Sequence, residues 1–291
     1  KAAYAFDNLQ DFLDIYYAGA GALMVEQDFY DLTWAYLEKV HSQNVIHTEI
    51  MFDPQTHTDR GVSFGTVIIG ISNALREAEA KFGMTTKLIM SFLRHLSEEE
   101  AFKTLEEAMP YKKLITAVGL DSSEVGNPPS KFQQVFAKAE AEGFLTVAHA
   151  GEEGPAEYVW EALDLLNVSR VDHGNNSLND EVLVQELVDR KMPLTVCPLS
   201  NLKLQVVKNL KKHPLREMLQ KGLLATINSD DPAYFGGYMN ANYIEVAEAL
   251  SLTKEEICQL AKNAFEASFL NRNQKKDMIA RVEDYCKENS F

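Results

Sequence analysis

The sequence predicts an α/β fold of the (β/α)8 barrel type, and the spacing and composition of its apolar segments carry this prediction. Short apolar segments rich in β-branched residues recur, and each is followed by a polar turn and a helical pattern. Their starts lie about 24 to 42 residues apart, which is the length of one βα unit. The segments are apolar on both faces, as expected of parallel strands covered by helices.

Seven segments meet this description: 45–52, 87–93, 114–120, 145–148, 170–172, 194–196 and 224–228. Residues 1–44 show only helical periodicity, whereas a barrel of this kind closes with eight strands. We therefore expect the first strand to precede Lys1, with 1–44 a helical segment behind it and 45–291 the remaining βα units. Because no linker-like stretch divides the chain, we predict one domain over 1–291.

Composition excludes several classes of protein. With 28 basic and 43 acidic residues the net charge is -15, which would repel a nucleic-acid backbone. Apolar runs fall well short of the roughly 20 residues that a membrane-spanning helix needs. Three cysteines without a Cys-x-x-Cys pair predict no disulfide framework and a cytoplasmic location. The expected partner is a small molecule, and a homo-oligomer stays open.

Polar and ionisable residues follow several of the predicted strands, where barrel enzymes place their active sites. The main candidates are His149, Glu152, His173, Asp230 and Asp231. Each also has a structural interpretation: a hydrogen-bonded histidine, a carboxylate in a first helical turn, or a helix cap. Together, imidazoles and carboxylates at one rim predict a metal-assisted hydrolytic site.

Three motifs occur in order along the predicted strands: His149-Ala150-Gly151-Glu152, His173-Gly174 and Ser229-Asp230-Asp231-Pro232. In this order they resemble the adenosine/adenine deaminase family of zinc-dependent purine deaminases, over essentially the whole chain. The stretches 149–155 and 230–238 and the loop 119–124 look more like the bacterial and fungal adenine deaminases. The resemblance therefore implies hydrolytic deamination of adenine to hypoxanthine and ammonia, as in purine salvage.

The resemblance also implies roles for individual residues. His149 and Asp230 would bind one Zn²⁺ per subunit, and Glu152 would protonate the purine nitrogen N1. His173 would orient or deprotonate the attacking water, and Asp231 would hold N7. Protonation at N1 would require burial to raise the pKa of Glu152.

The chain departs from the family pattern in its histidines. The family signature begins with a His-x-His pair of zinc ligands on the first strand, and none of the seven histidines here is two positions from another. One lost N-terminal segment would explain both this absence and the absent strand. We expect the chain as given to bind zinc weakly and to catalyse poorly, because catalytic zinc usually takes three protein ligands.

A free base and a nucleoside differ at N9 of the purine. We predict that the loop after the third strand contacts this edge of adenine; its candidate residues are Gly119, Asp121, Ser122, Ser123 and Glu124. Two alternatives stay open. One is a deaminase of adenosine or of a modified adenine nucleoside or nucleotide, and the other is a noncatalytic purine-binding barrel.

Overall fold

A computed structural model describes residues 6–289 of the chain. The chain forms two compact units. The N-terminal unit consists of Leu9–Ala148 and Glu161–Val168. The C-terminal unit consists of Lys1–Asn8, His149–Trp160 and Ser169–Phe291, of which residues 1–5 and 290–291 lie outside the described part. The prediction of a single domain over 1–291 stays a prediction.

The N-terminal unit is built on parallel strands that pair in the order of the sequence. The strands are β1 (His47–Phe52), β2 (Thr85–Leu93), β3 (Ala117–Asp121) and β4 (Leu145–Ala150), whose last two residues belong to the C-terminal unit. The helices are α1 (Leu9–Ala20), α2 (Glu26–His41), α3 (Gln55–Thr58), α4 (Phe64–Phe82), α5 (Glu98–Ala108) and α6 (Gln133–Ala141). Short 3-10 helices occupy Met109–Leu114 and Pro129–Phe132.

The C-terminal unit continues the same alternation of strand and helix. Its strands β5 (Arg170–His173), β6 (Pro193–Val196) and β7 (Leu224–Ile227) pair in parallel in sequence order. Its helices are α7 (Ala156–Asp164), whose residues 161–164 belong to the N-terminal unit, α8 (Glu181–Asp189), α9 (Pro198–Lys203), α10 (Leu215–Gln220), α11 (Pro232–Phe235), α12 (Met239–Leu250), α13 (Lys254–Ala267) and α14 (Arg272–Glu288). Two 3-10 helices lie at Asn175–Asn179 and Leu210–Lys212.

The strands are covered on both faces, as their sequences predict. In β2, the consecutive residues Leu88, Ile89 and Met90 are all buried, although neighbouring side chains of a strand point to opposite faces.

The ends of helix α4 are set by capping residues. The Ser63 side chain accepts a hydrogen bond from the Thr66 amide at the start of α4, and Gly83 ends that helix with φ 65°.

All seven predicted strands are present, and six differ from the prediction by only a few residues. The third starts at Ala117 rather than at Leu114. The prediction of strand at residues 114–116 is wrong: Leu114 ends the 3-10 helix Met109–Leu114, and Ile115 and Thr116 connect that helix to β3. An apolar run next to a strand has the same composition as the strand itself.

The expectation of no disulfide is wrong for one pair of cysteines. Cys258 on α13 and Cys286 on α14 form a disulfide, whereas Cys197 is a buried free thiol. The two partners are 28 residues apart and meet because α13 and α14 pack together.

Within residues 6–289, no helix has the length and apolarity that crossing a membrane requires.

Candidate active site

The end of β4 presents His149 and the buried carboxyl group of Glu152. The backbone turns at Gly151, whose φ is 71° and whose missing side chain leaves room for Val159; a Cβ there would lie 2.7 Å from Val159 Cγ2. This turn therefore requires glycine. It brings Glu152 back toward the end of the strand, where its side chain is only 4% exposed. Glu152 precedes α7, so it is not a first-turn carboxylate.

The end of β5 is joined to this turn by backbone hydrogen bonds. The Gly174 amide donates to Ala150 O at 3.1 Å, and the Asn176 amide donates to Gly151 O at 2.9 Å. Between them, His173 has a φ of 64°, in the left-handed region that non-glycine residues rarely occupy. The backbone of both motifs therefore forms one rigid element, and it fixes the direction of the His173 imidazole.

The end of β7 presents two carboxylates. Asp230 also lies in the left-handed region, with a φ of 54°. Asp231 occupies the N-cap position of α11, but its side chain makes no capping hydrogen bond. The interpretation of these aspartates as helix caps is therefore wrong. Strained backbone at both His173 and Asp230 is typical of residues that a site holds in place for function.

These strand ends bring the ionisable groups together. His173 Nε2 lies 3.5 Å from Glu152 Oε2 and 4.0 Å from Asp230 Oδ2. The imidazole rings of His149 and His173 have centroids 5.0 Å apart. His149 and Asp230 are the more accessible members, with side chains 19% and 18% exposed, whereas Glu152 and His173 are almost fully buried.

Cys197, at the end of β6, is a member of this cluster for which the sequence indicated no role. Ligand atoms of His173, Cys197 and Asp230 all lie within 4.8 Å of one another. Burial and the nearby carboxylates, Asp230 first among them, raise the pKa of the Cys197 thiol well above its usual value. The thiol is therefore protonated at neutral pH, and it donates to Thr195 O at 3.4 Å.

The donor set suits a divalent metal ion. Imidazole and carboxylate are the ligands that zinc takes in catalytic sites, and His149 and Asp230 offer one of each at the accessible side of the cluster. His173, Cys197 and Asp230 are close enough to share an ion. The residues present therefore fit a centre for a divalent metal ion.

The residues predicted to contact the base edge lie in the N-terminal unit, at the end of β3. A side chain at Gly119 would clash with Ser91 Oγ, which would be 2.5 Å from the added Cβ. Ser122 has a φ of 77°, and its hydroxyl contacts Tyr17 Oη at 2.7 Å and His95 Nδ1 at 2.8 Å. Glu124 is 1% exposed.

Two more of these loop residues form polar contacts. Ser123 donates a hydrogen bond to the Gln10 side chain. Burial and the neighbouring carboxyl of Asp53 raise the pKa of Asp121 well above its usual value. The Tyr16 hydroxyl donates to Asp53 Oδ2 at 3.4 Å.

A family model described as adenosine deaminase matches residues 1–285. The chain therefore belongs to the adenosine deaminase family of hydrolytic enzymes. This confirms the resemblance that the motifs indicated, and it confirms an α/β fold of the barrel type.

Individual relatives and solved structures show which proteins the chain is similar to. The chain is 61% identical over 282 residues to a protein from Acinetobacter baylyi named adenine deaminase, covering 97% of this chain and 85% of that protein. The crystal structure of adenine deaminase from Arthrobacter aurescens matches with a TM-score of 0.96 and 47% identity, over 98% of this chain and 88% of that one. An amidohydrolase from Burkhoderia ambifaria, with bound Zn, matches with a TM-score of 0.86 and 26% identity, over 91% of this chain and 75% of that one.

Proposed function

We propose that the protein is a zinc-dependent adenine deaminase, which hydrolyses adenine to hypoxanthine and ammonia. The observation that carries this proposal is the meeting of His173, Glu152 and Asp230 beside His149 at neighbouring strand ends. Relatives of about 60% identity that are named adenine deaminase support the same substrate.

His149 and Asp230 are our candidates for holding one zinc ion per subunit. They are the two accessible members of the cluster and supply one nitrogen and one oxygen ligand. When bound, the metal supplies Lewis acidity that makes water a usable nucleophile near neutral pH. The bound Zn in the Burkhoderia ambifaria amidohydrolase supports zinc as the metal.

His173 is the candidate for handling the proton of the attacking water. Its imidazole is held by the left-handed backbone at the end of β5 and by burial, so it has little freedom to rotate. Neutral imidazole accepts a proton or a hydrogen bond from water, and the carboxylate of Asp230, with Oδ2 4.0 Å from Nε2, stabilises the resulting imidazolium.

Glu152 is the candidate for donating a proton to N1 of the ring. Attack of water oxygen on C6 forms a C–O bond and places the ring's electron pair on N1, so a proton delivered there prevents a build-up of negative charge. The proton taken up by His173 would pass to the exocyclic nitrogen, so that the C6–N bond breaks and ammonia leaves. The C6 hydroxyl would return a proton to Glu152, and the ring becomes hypoxanthine. The burial of Glu152 excludes water that would compete for this proton.

The remaining candidates bind the base. Asp231 follows Asp230 directly and would accept a hydrogen bond at N7, since its side chain does not cap α11. Gly119 and Asp121 lie in the last part of β3, and Ser122, Ser123 and Glu124 follow it; active sites of β/α barrels lie at the carboxyl ends of the strands. We propose that Ser122, Ser123 or Glu124 contacts the N9 edge. We also place the reaction in cytoplasmic purine salvage.

Ultraviolet-monitored turnover tests the function directly. The purified protein with added zinc is given adenine and adenosine in parallel, and a sample treated with a chelator is the control. We expect conversion of adenine alone, at a low rate because the chain has no His-x-His pair of zinc ligands, and loss of this conversion in the chelated sample. Turnover of adenosine instead of adenine would show that the protein is a nucleoside deaminase. No reaction with either base or nucleoside, in protein shown to hold zinc, would overturn the proposal.

A further inference from the structure

The carboxyl group of Asp172 lies behind the predicted metal ligand His149. Its Oδ2 atom is 3.8 Å from His149 Nδ1, and its side chain is only 3% exposed. Within residues 6–289, Oδ2 accepts no hydrogen bond from the protein. A buried carboxylate oxygen therefore lies beside an imidazole nitrogen that has a proton to donate in one of its two tautomers.

The other oxygen of Asp172 is fixed by two neighbours. Thr195 Oγ1, on the paired residue of β6, donates to Oδ1 at 2.6 Å. Arg170 Nε lies 3.5 Å from the same oxygen and is two residues earlier on β5, on the same face of the strand. A hydroxyl donor and a cation on one oxygen leave the second oxygen pointing to His149.

Arg170 is itself held in place, which makes this arrangement rigid. Its guanidinium lies over the ring of Phe269, with 4.5 Å from Cζ to the ring centroid, and Nη1 donates to Ala267 O at 3.5 Å. Both Arg170 and Asp172 are buried, so the charge of the carboxylate is compensated inside the protein. Asp172 is therefore held in position beside His149 Nδ1.

We propose that Asp172 is a positioning residue that holds His149 in the tautomer required for metal binding. A proton on Nδ1, directed at Asp172 Oδ2 3.8 Å away, leaves the lone pair on Nε2 for the metal, as carboxylate partners do for many metal-binding histidines. The inference rests on the proposed function, because it assumes that His149 is a metal ligand. The sequence indicated no role for Asp172.

The variant Asp172→Asn tests this idea, because the amide keeps the shape of the side chain. With its oxygen held by Thr195, the amide presents NH₂ to His149 Nδ1, and this favours the opposite tautomer. We expect the zinc dissociation constant, measured by competition with a chromophoric chelator, to rise about 10- to 100-fold. Nitrogen-detected NMR of histidine-labelled, zinc-loaded protein should show the Nδ1 proton of His149 in wild type and its loss in the variant.

Two further measurements separate positioning from a structural role. Thermal unfolding of the metal-free variant measures any damage to the fold, whereas the chelator competition measures metal affinity alone. The matched control is Asp180→Asn, which changes a side chain that caps α8 in the same unit and should leave zinc affinity unchanged. If folded Asp172→Asn binds zinc as wild type does, the proposal is wrong.

Thr195→Val provides the second variant should Asp172→Asn not fold. It removes the hydroxyl that fixes Oδ1 while keeping the carboxylate beside His149, so we expect a smaller loss of zinc affinity, several-fold rather than 100-fold. Unchanged affinity in this variant would also overturn the proposal. If wild-type protein neither binds zinc nor deaminates adenine, the proposed function itself is wrong. If wild type does both and the variants bind zinc equally well, only the role of Asp172 is wrong.

Discussion

The strand ends of the two units carry different chemistry. In the C-terminal unit they present imidazole, thiol and carboxylate groups whose ligand atoms lie within 4.8 Å of one another. Two of these residues, His173 and Asp230, have strained backbone. In the N-terminal unit they present a carboxyl pair and a hydroxyl network around Ser122. The first set suits metal binding and proton transfer, whereas the second suits hydrogen bonding to a polar ring edge.

This comparison predicts that removing a group from the C-terminal unit abolishes the reaction. His149→Ala deletes a proposed metal ligand, so we expect loss of bound zinc and of adenine turnover, measured by metal analysis and ultraviolet absorbance. His41→Ala is the matched control, because His41 is exposed on α2 and stacks on Phe82. Full turnover in His149→Ala would remove this residue from the metal site.

A change in the N-terminal unit should alter substrate binding but leave the metal in place. Glu124→Gln replaces the carboxyl group of a buried side chain that we assign to the base edge, so we expect kcat/KM for adenine to fall about tenfold with zinc content unchanged. Glu106→Gln, on the exposed face of α5, is the control. Unchanged kinetics in Glu124→Gln would exclude this residue as a contact.

The two units should also respond to acid through buried histidines. Burial lowers the pKa of His213 to about 4, and its Nδ1 accepts from the Leu215 amide while Nε2 contacts Asn201 Oδ1. Between pH 6.5 and about 4, His213 is therefore protonated in the unfolded chain but not in the folded protein. The free energy of unfolding is highest above this range and falls as the pH decreases, by at most about 1.4 kcal/mol per pH unit for this group.

His213→Gln should reduce that slope in acid denaturation, since glutamine does not titrate. His57, whose pKa burial also lowers to about 4, provides the same test in the N-terminal unit. If the free energy of unfolding falls with pH equally steeply in wild type, His213→Gln and His57→Gln, other groups control acid unfolding.

The smallest expected effect concerns the carboxyl pair. Because the pKa of Asp121 is raised, its proton stabilises the folded protein below the unfolded pKa near 4, and this contribution is lost as the pH rises. Asp121→Asn mimics the protonated form, so we expect stability at neutral pH to be unchanged or to rise by on the order of 1 kcal/mol. Urea unfolding at pH 5 and pH 8 measures this, and a strong loss of stability at both values would contradict it.

The sequence predicts most of the fold because the periodicities of strand and helix are local. The seven strands and the capping box at Thr253 and Glu256 follow from a few adjacent residues each. The boundary before Ala117 is not predictable in this way, because Leu114 and Ile115 are as apolar as the strand but lie in and just after a 3-10 helix. The disulfide between Cys258 and Cys286 depends on how two helices pack, which spacing alone does not reveal.

The candidate site is predicted only in part. His149, Glu152, His173 and Asp230 follow from motifs at strand ends, and the structure brings them together. Their roles stay predictions. Asp172 and Cys197 join the same region through contacts between strands that are remote in sequence. A one-dimensional pattern identifies groups that carry chemistry but not the side chains that hold them in position.

The most direct test of the account is adenine turnover by Glu152→Gln at a zinc content equal to that of wild type. The amide keeps the shape of the buried side chain but has no acidic proton for N1. We predict that kcat falls by about 10²- to 10⁴-fold while zinc content and thermal stability stay unchanged. Wild-type turnover in the zinc-loaded variant would contradict the assignment of this cluster as the active site.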